Sequence, residues 1–276
     1  MSFVGHPALG RSGPGWAEAM NSINPPVPVK DSPAEPAILA RRFEAAGAAA
    51  GFRVGRFGEI EGCPLLALTK RAPGPRPRVY LSAGIHGDEP APPLALLSLI
   101  EQGAFDGRAT WFVCPLLNPA GLARGTRENA DGLDLNRGYR EAQALEIQAH
   151  VDWLRRQPNF DLTLCLHEDW ESKGFYLYEL DTAGRTSCAE GILGAVGAVC
   201  PVDPSETIDG RPARAGVIRP AGDPLLRERW PESIYLRTHH HSGLHYTLES
   251  PSSFPLEQRI RALGTAVTAA LSLALR

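Results

Sequence analysis

The stretch that most constrains this chain is Val79-Tyr-Leu-Ser-Ala-Gly-Ile-His86-Gly-Asp-Glu89. Its opening, rich in Val, Leu and Ile, predicts a buried strand. Glycines then let the backbone turn sharply. Pro90, Pro92 and Pro93 follow at positions that the first turn of a helix tolerates, ahead of the apolar run Leu94–Ile100. His86 and Glu89 therefore fall between the carboxyl end of a strand and the start of a helix, where open α/β sheets bind ligands. Imidazole and carboxylate both ligate zinc, and the His-x-x-Glu spacing puts them within reach of one ion. Taken alone, so common a pair reads better as a turn histidine and a helix-start acid favoured by the helix dipole. Other parts of the chain decide between the two.

The 276 residues, 43% hydrophobic and 21% charged, are enough to bury a full core as one large domain or two small ones. A net charge of −3 and a pI of about 6.3 leave no electrostatic footprint for nucleic acid. The five cysteines form no Cys-x-x-Cys pair, and Cys114 and Cys165 lie inside apolar runs as small buried hydrophobes. No charged region followed by an apolar one marks a signal peptide, and no apolar run approaches membrane-spanning length. The expectation is a soluble cytoplasmic protein with no membrane partner.

Residues 1–36, rich in Gly, Pro, Ser and Asn, predict an extended arm, and 37–276 a single catalytic domain. A helix fits Ala37–Ala50, with Leu39, Phe43, Ala46 and Ala50 on one face and Gly51 as its stop. Short strands are expected near Phe52–Phe57 and Pro64–Thr69, then a buried one over Thr110–Leu117. Asn118–Tyr139 reads as a long loop with four glycines, a kind of segment that is usually functional. A helix resumes near Glu141, with Ala144, Ile147, Val151 and Leu154 on one face. Phe160–Leu166 reads as a strand ending at His167, with a neighbour at Gly174–Leu180 and a small-residue helix over Ala183–Val199. Residues 201–232, rich in Pro and Arg, read as excursions around a site. A last strand is expected at Leu244–Leu248, and a last helix from Pro255 with Leu256, Ile260, Leu263, Val267 and Leu271 on one stripe. Strands alternating with helices give an α/β class: one domain with a central mixed, mostly parallel twisted sheet flanked by helices.

His167 stands at a strand end, as His86 does, on the same side as Thr163 and Cys165. Two such histidines plus Glu89 make a His₂Glu set with the fourth tetrahedral position open, the pattern of a catalytic zinc. For His167 a satisfied strand-end histidine is the competing reading. Asp169 either orients an imidazole or is an ordinary turn acid. The Asn-, Arg- and Gly-dense loop adds Arg127, Asn136 and Arg137, forks and amides suited to a carboxylate or a developing oxyanion.

In order along the chain, His86-Gly-Asp-Glu89, Asn118-Pro-Ala-Gly121, Asp134-Leu-Asn-Arg137, His167 and Thr247-Leu-Glu249 resemble the zinc carboxypeptidases. Carboxypeptidase A is their reference His₂Glu enzyme. The short murein-peptide amidases, which use His-Gly-Asp-Glu, are especially similar. The resemblance implies one zinc per chain on His86, Glu89 and His167. It implies that Asn136 and Arg137 bind the free carboxylate of a small peptide or acyl-amino-acid substrate, that Arg127 stabilises the oxyanion, and that Glu249 is the general base. Gly87 and Asp88 stand where the large digestive enzymes carry an arginine, and neither Tyr235 nor Tyr246 matches their mobile tyrosine. Within the same relationship, the aspartoacylase and succinylglutamate desuccinylase branch implies deacylation of N-acyl amino acids instead. A third reading is a zinc-containing module that binds carboxylates without cleaving them. The triplet His239–His241 carries no assigned role.

Overall fold

The computed structural model describes residues 35–181 and 184–275. The expected amino-terminal arm lies outside these residues except for its last two, and Pro36 already begins the first helix. Helix α1 (Pro36–Ala49) buries Leu39, Ala40 and Phe43, and Gly51 at φ +79° takes the left-handed conformation just beyond it. Strands β1 (Arg53–Ile60) and β2 (Cys63–Lys70) form an antiparallel hairpin. Next come β3 (Arg78–Ser82), helix α2 (Ala91–Glu101), β4 (Thr110–Cys114), the short helix α3 (Pro119–Arg124) and helix α4 (Leu145–Leu154). The chain continues through β5 (Phe160–Asp169), β6 (Tyr176–Asp181), helix α5 (Ala189–Val196), and the short strands β7 (Thr207–Ile208), β8 (Arg211–Arg214) and β9 (Val217–Ile218). It closes with helix α6 (Glu232–His239), β10 (His241–Pro251) and helix α7 (Leu256–Ala274).

Ten strands among the described residues make one sheet in the order β1-β2-β4-β3-β5-β10-β6-β9-β8-β7. The central run β4-β3-β5-β10 is parallel, while both flanks are largely antiparallel. Strand parity sorts the side chains. On β5, Leu162, Leu164 and Leu166 join Val79, Leu81 and Leu248 in a core covered by α1, α2, α5 and α7. The opposite face carries Tyr80, Phe112, Cys114 and Cys165, covered by α4 and α6. Cys114 and Cys165 are buried and free, as expected of small hydrophobes. No helix among the described residues is long and apolar enough to cross a membrane.

The differences from the sequence reading have local causes. The presumed loop Asn118–Tyr139 contains α3 and a 3-10 turn, Leu135–Arg137, each started by a side-chain cap from Asn118 or Asp134. The following helix begins only at Leu145, because Ala142 takes a positive φ of 49° that no helix accommodates. Strand β5 runs on to Asp169, so His167 sits inside it rather than past its end. β6 pairs with β10, which lies between it and β5. Residues 201–232, without apolar pattern, hold a three-strand meander and the 3-10 turn Pro224–Leu226. On α7, Leu256 is 36% exposed, and Ala262, Ala266 and Ala270 complete the buried stripe instead. The small-residue helix is shorter than expected and starts at Ala189.

A buried polar chain ties α4 to the sheet. The Tyr80 hydroxyl donates to Glu232 Oε1 at 2.7 Å, so at 2.9 Å the Nε2–H of His150 donates to the Tyr80 oxygen. His150 Nδ1 in turn accepts from the Tyr139 hydroxyl at 2.7 Å. Burial, and secondarily the charge of His240, push the His150 pKa down to about 3. An unfolded histidine takes a proton near pH 6.5, so between those values the unfolded state binds more protons and the native state loses stability as pH falls. Urea unfolding of metal-free protein is expected to show stability declining from about pH 6.5 towards 3, by at most about 1.4 kcal/mol per pH unit from this group. His150→Gln should flatten that slope. Equal slopes in the two proteins would show that His150 is not the source.

Candidate metal centre and active-site cleft

The carboxyl ends of the central parallel strands bring the candidate residues to one edge of the sheet. The turn after β3 carries His86 and Glu89, and the segment after β4 carries Arg127, Asn136 and Arg137. His167 lies on β5, and Glu249, on β10, is its register partner. Both side chains fall on the face away from the Leu162–Leu166 row, as the alternation of β5 and β10 requires.

His86, Glu89 and His167 are each 3% exposed, and one ligand atom from each lies within 4.8 Å of the others. Glu89 stands between the rings: Oε1 is 2.5 Å from His86 Nδ1 and Oε2 is 3.0 Å from His167 Nδ1. Two imidazoles and a carboxylate sharing one buried point are a donor set that fits a divalent cation such as zinc. Burial opposes a charge on Glu89, but the two histidines outweigh it and hold its pKa down to about 2. Burial likewise opposes protonation of His86, yet Glu89 and Asp134 raise its pKa to about 9.

The turn is held by packing that leaves no room for side chains. A Cβ on Gly87 would lie 1.9 Å from the carbonyl carbon of Gly121, so the metal turn and α3 touch backbone to backbone. Asn118, wholly buried, fixes the contact: it accepts from Gly121 N at 2.8 Å and donates to Ile85 O at 3.2 Å. The Asn118-Pro-Ala-Gly121 motif is thus a clamp on the His86 turn. Glu168, on the opposite face, accepts from Ala91 N at 3.0 Å and pairs with Arg259 at 2.5 Å, anchoring the helix that follows the turn.

Asp134 organises the other half. One oxygen lies 3.2 Å from His86 Nε2 and accepts from Asn136 N at 2.9 Å, and the other accepts from Arg127 Nε at 3.0 Å. A carboxylate on the outer nitrogen fixes the tautomer that leaves Nδ1 facing Glu89. Asp134 therefore takes the orienting role considered for Asp169. Asp169 instead accepts from the Tyr176 hydroxyl at 3.0 Å and caps Glu171 N at 2.8 Å. The signal for Asp134 was present, since it opens the Asp134-Leu-Asn-Arg137 motif, but the motif does not say which nitrogen it would meet. Asn136 Oδ1 accepts from Glu232 N at 2.9 Å, so its Nδ2 donors face the site. Arg137 Nη1 gives one hydrogen bond to Asn136 O at 2.9 Å, and the residue lines the cleft.

His86, Glu89, His167, Arg127, Asn136 and Arg137 line a cavity of about 420 Å³ together with Glu249, Tyr176 and Tyr178. Burial, and then the neighbouring charges of Glu89 and Asp169 against that of His167, push the Glu249 pKa up to about 8. Tyr176 and Tyr178 were not singled out by sequence, because their position depends on β6 lying against β10. Tyr246 is buried on the other face, bonded to Glu179 at 2.8 Å, and Tyr235 stacks near His239 and Tyr139, so neither reaches the cleft. His239 ends α6 and His240 caps it beside Tyr235, away from the cavity.

Asp134→Asn is expected to weaken zinc binding by roughly 10- to 100-fold, and His167→Ala to remove tight binding altogether. Competition with a chromophoric chelator reads both. Unaltered affinity in the first variant would dismiss Asp134 as the orienting group, and full zinc in the second would dismiss the ligand set.

Residues 75–201 match the family model for the succinylglutamate desuccinylase/aspartoacylase catalytic domain. No curated protein matches the sequence. Among solved structures, a provisionally assigned metallopeptidase from Shewanella amazonensis superposes with a TM-score of 0.75 at 26% identity, covering 87% of this chain and 93% of that one. A metallo-carboxypeptidase from Burkholderia cenocepacia shares the fold with a TM-score of 0.64 at 21% identity over 86% of this chain and 68% of its own. So does a metallo-carboxypeptidase from Pseudomonas aeruginosa, crystallised with (2-guanidinoethylmercapto)succinic acid, at 0.60 and 19% over 87% and 69%. With the fold of metallo-carboxypeptidases, a His-Glu-His cluster that could hold a metal ion and a partial match to a hydrolase domain, the chain is a hydrolase similar to the proteins related to the zinc carboxypeptidases.

Proposed function

We propose that the protein is a zinc hydrolase that cleaves an amide bond next to a free carboxylate, as a carboxypeptidase or peptide amidase. The observation that carries this reading is the meeting, in one cleft, of the His86–Glu89–His167 cluster with Glu249, Arg127, Asn136 and Arg137. Zinc, when bound, supplies a Lewis acid that polarises the scissile carbonyl and makes water easier to deprotonate. Glu249 takes the proton from the attacking water and delivers it to the leaving amine. A carboxylate in a partly dry site beside a metal suits both halves of that transfer. Arg127, held by Asp134 through Nε, directs its remaining donors at the oxyanion forming on the attacked carbonyl. The Arg137 fork and the Asn136 amide bind the substrate carboxylate. The Pseudomonas neighbour's succinic acid ligand supports a carboxylate-bearing small molecule in such a cleft.

A second reading, deacylation of N-acyl amino acids, is favoured by the desuccinylase/aspartoacylase match over residues 75–201. It uses the same residues with an acyl group in place of a peptide. Parallel assays of blocked dipeptides and N-acyl amino acids separate the two.

Glu249→Gln keeps the size of the side chain and removes the proton acceptor. Zinc content should stay full while turnover falls by about two orders of magnitude or more. Turnover equal to that of the wild type on any cleaved substrate would exclude Glu249 as the base.

The carboxylate pocket is read with matched free-acid and amidated substrates. Losing the partner of a desolvated guanidinium typically costs about 2 to 5 kcal/mol, so amidation should lower kcat/KM by roughly 30-fold or more. Arg137→Ala should raise KM steeply, whereas Arg127→Ala should mainly lower kcat, since the oxyanion exists only near the transition state. Equal cleavage of acid and amide by the wild-type protein would discard the reading.

A further inference from the structure

The cleft goes deeper than the groups of the proposed reaction. Strands β5, β10 and β6 face it in register: His167, Glu249 and Tyr176 form one row, and Cys165, Thr247 and Tyr178 the row beneath it. Both rows line the cavity. At about 3.3 Å of strand per residue, Thr247 stands roughly 6.6 Å below Glu249. The third row is Thr163, His245 and Leu180. Thr163 and His245 are both 0% exposed, and the proposed reaction uses neither.

The His245 ring is held between two hydroxyls. Its Nδ1 meets Thr163 Oγ1, and its Nε2 lies 3.3 Å from Thr247 Oγ1. Such a ring has two arrangements, set by which nitrogen carries the proton. A proton on Nδ1 would be donated to Thr163, whose own hydroxyl hydrogen would then have nowhere to go. Thr163 has no further hydrogen-bond partner among the described residues, and a buried donor left unmet is costly. The Thr163 hydroxyl therefore donates to Nδ1, and the Nε2–H donates to the Thr247 oxygen. The hydroxyl hydrogen of Thr247 meets no acceptor among the described residues. Thr247 is half-buried and lines the cavity, so that hydrogen is offered to the cleft.

We infer that His245 is a positioning residue that makes Thr247 a hydrogen-bond donor at the floor of the cleft, and that the substrate places an amide or hydroxyl oxygen there. An apolar group in the same place would leave the donor desolvated and unmet. The inference rests on the proposed function for the place of the scissile bond above the floor. The oxygen has two possible sources: the side chain of the released amino acid, or the acyl group across the bond.

Calorimetric binding to zinc-loaded, full-length protein tests this with neutral pairs of equal shape, so that differences in charge do not enter. N-acetylasparagine is set against N-acetylleucine for the side chain, and 3-carbamoylpropanoylglycine against 4-methylpentanoylglycine for the acyl group. In one pair the amide should bind about 5- to 30-fold tighter than its apolar isostere, and that pair identifies the source. Thr247→Val should abolish the preference and Thr247→Ser should keep it. His245→Phe should abolish it too, while leaving the apolar ligand's affinity unchanged and adding nothing in the Thr247→Val background. A merely structural histidine would instead weaken both ligands alike. Nitrogen-15 NMR of the wild-type imidazole reads the tautomer without any substitution: Nε2 should carry the proton and Nδ1 should not. A proton on Nδ1, no preference or no measurable binding in both pairs, or a preference that survives Thr247→Val or His245→Phe would overturn the inference. Comparing N-acetylasparagine with its α-amide reads the Arg137 site separately. If that discrimination is missing while the Thr247-dependent one remains, the carboxypeptidase-like reading fails and the floor donor stands.

Discussion

Carboxylates out of water at one edge of the sheet are the constraint on which this structure turns. Glu89, Glu168 and Glu232 are each 5% exposed or less, and a buried carboxylate without compensation is among the most costly groups a fold can hold. Each is compensated differently. Glu168 takes the Arg259 guanidinium and a helix amide, and so becomes a structural anchor. Glu232 takes the hydroxyls of Tyr80 and Ser82, and burial raises its pKa. Glu89 takes two imidazoles, an arrangement whose natural completion is a cation. The same chemistry thus separates the anchor, the buried network and the metal position.

Backbone contact then decides where the cation point lies. Gly87 against Gly121 brings the turn after β3 and the segment after β4 to van der Waals distance, and Asn118 locks the pair. With that spacing set, Asp134 reaches His86 from outside and Arg127 on the same carboxylate. The network continues inward, because the backbone of Glu232 holds Asn136 and its side chain meets Tyr80, which meets His150. The His86–Glu89–His167 cluster, Asn136 and the core polar chain are one connected set of hydrogen bonds. A change at His150 or Glu232 therefore bears on how firmly Asn136 is held.

The cleft has two kinds of wall. The parallel strands supply the chemistry, from side chains fixed by strand parity on a rigid sheet. The antiparallel extension β6-β9-β8-β7 and the segment up to α6 supply charge and shape around the opening. Irregular segments of this kind commonly carry selectivity on a rigid scaffold.

The sequence by itself determined the α/β class, the principal strands and helices, and most of the residues that the fold gathers in the candidate cleft. It did so because strand alternation and ordered short motifs are local properties. The caps at Asn118 and Asp134 and the tight Asp209-Gly210 turn were also written locally, though the surrounding polarity hid them within what read as loops. Only the tertiary structure decided that β10 lies between β5 and β6, which sets Glu249 beside His167 and brings Tyr176 and Tyr178 into the cleft. It alone decided that Asp134 rather than Asp169 orients a histidine, and that Arg211 and Arg227 share a cavity with Arg137. These depend on which distant segments touch. That is set by burying apolar surface and satisfying buried charge over the whole chain, and no short stretch of residues carries that information.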